Sequence, residues 1–322
     1  MLTALIFLVI GLASGVLIGK NIAKDKNDTQ SKEVRLGGYK YVSPLLECEL
    51  NSSVGEIEYK PSKNKIASYI TEEIQKKTIT QASVYYRDLN NGPWFGIDEK
   101  ENFSPASLLK LPVLIAYFKQ AEKDQTLLQK KLTYKKVSAA IEQSFMTQNP
   151  LEETQEYSIE ELLEHMIIYS DNNALFLLEQ NIDENKIDAV TKDLGIETAT
   201  EITPEDYMSV KSYASLFRVL YNASYLNKEM SEKVLTILGK VAFTKGVVAG
   251  LPDNIVVAHK FGERELENSI KQLHDCGIIY YPKHPYLLCV MTRGTNYENQ
   301  SLVISNVSRK IYEDIDNRYQ KP

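Results

Sequence analysis

The alternation of apolar and polar positions divides the chain into elements of different period. Residues 2–19 are 18 positions without a charge, rich in Leu, Ile and Val, about the length that spans a bilayer as a helix. Ile66, Tyr69, Ile70 and Ile74 recur at helical spacing. Gln81 to Leu89 alternates as a strand, Asn90-Asn91-Gly92-Pro93 is turn chemistry, and Trp94 to Ile97 begins a return strand. From Lys136 to about Leu238 the patterns are nearly all helical, with Leu162, Met166 and Ile167 on one apolar face. Three further strands are expected at Ile255–Gly262, Gly277–Tyr281 and Tyr286–Thr292, and a last helix at 299–319. Strands at both ends of a helical middle predict an α+β (α/β sandwich) fold: an antiparallel five-stranded sheet flanked by helices, with an inserted all-helical lobe.

Composition narrows the classes of function. With 322 residues, 43% of them hydrophobic and 25% charged, the chain has material for a sizeable core. A net charge of −6 without a dense basic run argues against nucleic acid as a partner. Cys48, Cys276 and Cys289 allow at most one disulfide, and Cys289 lies in an apolar run that reads as a buried strand. The four histidines, 165, 259, 274 and 284, form no HExxH pair, so no metal and no cofactor are expected.

The organisation expected is an amino-terminal anchor or signal over 1–20, a polar linker over 21–38 and one globular domain over 39–322. No Lys or Arg precedes the apolar stretch, which favours an uncleaved membrane anchor over a cleaved signal. The expected location is the membrane, with the domain outside the cytoplasm. Lys20, Lys24 and Lys26 just after the span pull the other way, because positive flanks stay cytoplasmic.

Candidate chemistry centres on Phe103-Ser-Pro-Ala-Ser107-Leu-Leu-Lys110. Pro105 and Ala106 read as the opening of a helix, so Ser107 and Lys110, at i and i+3, share a face. A serine hydroxyl needs a base to become a nucleophile, and a desolvated lysine is one. Ser62 and Lys65 show the same spacing in a polar segment, so the pair alone is weak evidence. Ser170-Asp171-Asn172 follows the apolar helix end His165–Tyr169; the string suits helix capping, and equally a proton-passing hydroxyl beside a substrate-holding amide. His259-Lys260-Phe261-Gly262-Glu263 reads as strand, with a cation for a substrate carboxylate and a glycine for close backbone approach. The backbone N–H groups of Ser107 and Glu263 are candidates for an oxyanion hole.

Taken together and in this order, the three motifs resemble those of the penicillin-recognising serine enzymes, with a layout most similar to class A β-lactamases over roughly residues 60–319. The resemblance implies Ser107 as acylated nucleophile, Lys110 as base, Ser170 as proton relay, Asn172 as substrate ligand and Lys260 as the cation on the carboxylate side. It implies a β-lactam or cell-wall peptide as substrate. Two departures stand out. Phe261 replaces the family's carboxylate-binding hydroxyl, and the piece between Leu194-Gly195-Ile196 and Thr203-Pro204 is too short for the loop that carries the family's deacylating glutamate. Acylation with slow hydrolysis is the expectation. A D,D-peptidase, or a non-catalytic binding domain on the same fold, is the alternative. Family spacing also places Phe145 near the rim of the site.

Overall fold

The computed structural model describes residues 33–35, 38–43, 45–48, 59–90, 92–135, 145, 149–196, 205–266 and 269–319. The apolar stretch 2–19 lies outside these residues; among the described residues no helix is long and apolar enough to cross a membrane.

In chain order, β1 (Glu33–Arg35) pairs antiparallel with β2 (Leu45–Cys48), so part of the stretch expected as linker is a strand. Helix α1 (Lys60–Gln75) begins six residues before Ile66, with a proline in its first turn. Then come β3 (Gln81–Asp88), β4 (Trp94–Ile97) and the short β5 (Asn102–Phe103). After a 3₁₀ turn at Ala106–Leu109, α2 (Lys110–Ala121) buries ten of its twelve residues. A helix apolar all round belongs inside a protein, and α2 is the axis of the helical lobe.

The lobe adds β6 (Lys131–Thr133), β7 (Glu156–Ser158), α3 (Ile159–Ile168), α4 (Asn172–Glu179) and α5 (Glu184–Asp193). A capping box of Ser158 and Glu161 starts α3, and Leu162, Met166 and Ile167 are fully buried on its inner face. Next are β8 (Met208–Ser209), α6 (Val210–Tyr221) and α7 (Lys228–Leu238). The chain returns to the sheet with β9 (Val257–Glu265), β10 (Lys271–Ile279) and β11 (Tyr286–Gly294), and ends in α8 (Tyr297–Tyr319).

The main sheet has five antiparallel strands in the order β4-β3-β11-β10-β9. One core fills the space between this sheet and the lobe. A second lies on the opposite face, under α1 and α8. Cys276 and Cys289 face each other across β10 and β11 and form a disulfide.

Strand β10 corrects the sequence reading, which starts it at Gly277, six residues late. Its first half carries Gln272, His274 and Asp275, polar side chains that hydropathy assigns to a surface. All three are fully buried, each with hydrogen-bond partners inside the fold. The two-stranded pairs β5–β8 and β6–β7, two or three residues per strand, are too short for period-2 patterning to reveal.

Residues 40–43 are stitched to the lobe. The Glu232 carboxylate on α7 accepts N–H bonds from Lys40, Tyr41 and Val42 at 2.8–3.0 Å. Tyr280 donates its hydroxyl to Tyr41 O at 3.1 Å, and Ser43 N–H donates to Tyr221 O at 2.8 Å.

Candidate active site

The turn that carries Ser107 is 3₁₀ rather than α, which refines the expected geometry. In a 3₁₀ turn residues i and i+3 eclipse, so Ser107 and Lys110 are stacked along one line. Ala106, just before the serine, has φ +49°, a conformation that costs a non-glycine residue about 1 kcal/mol. Such strain persists only where the surroundings fix it.

Lys110 is 1% exposed at the start of α2. Its Nζ donates to Ser170 O, pairs with Ser170 Oγ at 3.1 Å and donates to Asn172 Oδ1 at 2.7 Å. These contacts suit either protonation state. An ammonium donates all three; a neutral amine donates two and accepts the third from the Ser170 hydroxyl. Burial is the main cause that brings the Lys110 amine down to about 7, partly opposed by the charges of Asp171, Glu263 and Glu179.

Ser170 and Asn172 reach this point through the end of α3 and the start of α4. Ser170 has φ +57°, which turns the chain between the two helices. Asp171 caps α4, its Oδ1 accepting from Asn173 N–H at 2.7 Å and Ala174 N–H at 3.4 Å. The capping reading of Ser-Asp-Asn is met by the aspartate, and its two neighbours both contact Lys110.

Lys260 on β9 is fully buried, and its Nζ contacts Ser170 Oγ at 2.9 Å and Phe261 O at 2.8 Å. Desolvation first, and the Lys110 charge second, hold it well below the ordinary lysine range. Two amines thus meet at one hydroxyl.

β9 is the edge strand nearest the serine. Leu266 N–H bonds Ile270 O at the hairpin end, so alternation along the ladder turns the N–H of Phe261 and Glu263 away from β10, off the free edge. That orientation suits Glu263 N–H as a donor toward the Ser107 turn. The Glu263 side chain is engaged elsewhere, one of its oxygens accepting the Phe145 N–H at 3.1 Å.

Gly262 lies against the serine turn. A Cβ there would lie 3.0–3.2 Å from Leu108 Cγ, Pro105 O and Leu108 N. The backbone that approaches Gly262 closely here is that of the protein's own serine turn.

Phe261 is 3% exposed and packs in the core under α1 and α8, with the Lys260 Nζ 4.2 Å from its ring centroid. It stacks on Phe243 at 4.2 Å between centroids, and Phe145 meets both rings edge-on at 5.1 and 6.3 Å. Beside them His259 Nδ1 and Asp275 Oδ1 pair at 2.8 Å, and Asp275 Oδ2 accepts Val247 N–H at 2.8 Å. Sequence reasoning missed Phe243 and Asp275, which carry no motif. Among the described residues no cluster of three or more His, Cys, Asp or Glu side chains is suited to a metal.

A family model described as the beta-lactamase enzyme family matches residues 64–315. The chain belongs to that family. Its fold is that of solved family structures at low identity. A PBP-A mutant, captured as an acyl-enzyme with penicillin G, is 22% identical with a TM-score of 0.67, covering 80% of this chain and 97% of its own. The beta-lactamase from Chitinophaga pinensis is 20% identical with a TM-score of 0.68, covering 79% and 99%. The extended-spectrum beta-lactamase TLA-1 is 20% identical with a TM-score of 0.66, covering 79% and 99%. No curated protein matches the chain in sequence.

Proposed function

We propose that this member of the beta-lactamase family is a serine hydrolase that takes the acyl group of a β-lactam or a related cell-wall peptide onto Ser107. The observation that carries the reading is the convergence of the Lys110 and Lys260 amines on the Ser170 hydroxyl, beside the serine turn. The neutral Lys110 amine takes the Ser107 proton as Oγ bonds to the amide carbon. The tetrahedral oxyanion is met by the N–H groups of Ser107 and Glu263. When the C–N bond breaks, Ser170 passes a proton to the leaving nitrogen and is reprotonated from the lysines. Asn172 holds the substrate amide, and Lys260 supplies positive potential.

Hydrolysis of the ester is the slow step in this reading. The three hydrogen bonds of Lys110 go to Ser170 and Asn172 rather than to a carboxylate. The connection from Ile196 to Glu205 is short, although 197–204 lie outside the described residues. A long-lived acyl-enzyme favours the D,D-peptidase or penicillin-binding alternative over rapid β-lactam turnover, and the PBP-A acyl-enzyme among the structural relatives fits it.

Intact mass followed after adding penicillin G tests this. A persistent adduct that Ser107→Ala abolishes supports acylation with slow deacylation. An adduct that clears with product accumulating overturns the slow step. Labelling that survives in Ser107→Ala removes the serine from the chemistry, and no adduct at all favours the non-catalytic binding domain.

A further inference from the structure

Two side chains of β10 grip the backbone three residues before the candidate nucleophile. Ser104 N–H donates to Gln272 Oε1 at 3.0 Å, and Ser104 O accepts from His274 Nε2 at 2.9 Å. Gln272 and His274 stand two residues apart, so both rise from the sheet face that meets the lobe. Both are fully buried.

The grip is itself anchored. Gln272 Nε2 donates to Asp206 Oδ1 at 2.7 Å. The other Asp206 oxygen accepts from Arg293 at 2.7 Å, and Arg293 also donates to Asn102 O at 3.0 Å. Phe103, between the two held residues, is fully buried with its ring edge-on to His274 at 5.5 Å. The imidazole must carry its proton on Nε2 to serve the carbonyl, and Nδ1 has no partner among the described residues. Burial lowers the His274 pKa to about 4, against the backbone bonds that favour the charged ring, so the imidazole is neutral near pH 7.

From Ser104 the chain has two residues, Pro105 and the strained Ala106, before it reaches Ser107. On the far side Tyr213 donates to Leu108 O at 3.2 Å, and Gly262 abuts Pro105 and Leu108. The serine turn is thus held from both ends, and the upstream end hangs on two side chains.

We propose that Gln272 and His274 are positioning residues for Ser107, a clamp on Ser104 that sets where the serine oxygen stands relative to Lys110 and Ser170. The proposal rests on the acyl-enzyme reading for its effect on rate. Neither residue touches substrate. A displacement near 1 Å costs a reacting group on the order of 10²-fold in rate.

The test uses the full chain and the variants His274→Leu, Gln272→Leu and His274→Gln, the last keeping an N–H donor at the reach of Nε2. Three quantities are measured: the rate of Ser107 adduct formation with saturating penicillin G, the melting temperature, and amide hydrogen exchange over 104–108. The clamp predicts that both leucine variants acylate about 10²-fold more slowly and exchange faster over 104–108. His274→Gln is expected within about threefold of the parent, a rescue that loss of general stability would not track. Leucine variants that fold, acylate within about threefold of the parent and keep their protection overturn it. Should they not fold, His274→Asn, whose amide is too short to reach Ser104, is expected to show the same two losses, and parent-like behaviour overturns the clamp. A parent chain that forms no adduct removes the acyl-enzyme reading, while exchange over 104–108 still decides whether the clamp holds the turn.

Discussion

Lys110 and Lys260 place their amino groups on the same atom, the Ser170 hydroxyl oxygen, at 3.1 and 2.9 Å. Two buried ammonium groups so close would repel with little water to screen them. One hydroxyl can donate to one amine while accepting from the other. The Lys110 charge therefore lowers the proton affinity of Lys260, and in the proposed mechanism Ser170 is a proton carrier shared by the two.

Ser170→Ala removes that carrier while leaving the backbone carbonyl to which Lys110 also donates. Acylation by penicillin G is expected to fall on the order of 10²- to 10⁴-fold, with the fold retained. Stopped-flow or intact-mass kinetics on the folded variant measure this. A loss below about fivefold would show that protons bypass Ser170.

The acylation rate should climb about tenfold per pH unit below about 7 and level off above it, as Lys110 gives up its proton. The same shift has a stability sign. Folded Lys110 releases its proton near 7 and the unfolded side chain near 10.5. Between those values the unfolded state binds more protons, so this group makes stability rise with pH across the window and costs most below 7. Lys110→Arg, which cannot lose its proton, is expected to abolish acylation at every pH. A flat rate profile between pH 5 and 9 would show that Lys110 is not the base.

Gly262→Ala forces a methyl group to 3.0–3.2 Å from Pro105 O and Leu108. Overpacking of this kind costs about 1–3 kcal/mol. Here it also displaces the serine turn, so acylation should fall more than stability does. Denaturant melts beside adduct kinetics separate the two, and unchanged kinetics would mean that the turn tolerates the shift.

Phe261→Ala empties the stack against Phe243 and Phe145, and a loss of about 3 kcal/mol is expected by chemical denaturation. A cost under 1 kcal/mol would mean that the aromatic cluster collapses to fill the gap.

How far the sequence could be read follows from what each residue contacts. Ser107, Lys110, Ser170, Asn172 and Lys260 stood out in the sequence because the proposed chemistry needs particular side chains in a particular order, and the structure brings the last four into one hydrogen-bonded group. The strands with apolar alternation, β3, β4 and β11, were legible within two residues. Gln272 and His274 were not, because a buried polar side chain looks like a surface one until its partner is known, and Ser104 lies 168 residues from Gln272. The packing of Gly262 on the serine turn was hidden for a similar reason: local sequence announces a close approach but not by whom.

The Glu232 carboxylate gathers three successive N–H groups from residues 40–42, upstream of the point where the family match begins at 64. Charge-assisted bonds of this kind contribute about 1.5–3 kcal/mol each. Trimming the chain by protease or by cloning at residue 58 would therefore strip a half-buried carboxylate of its donors and uncover Gly239, on which Tyr41 rests. Such a cut would loosen α7 and, through it, the lobe wall behind α2, so damage done far from the serine would register in the serine's own reactivity.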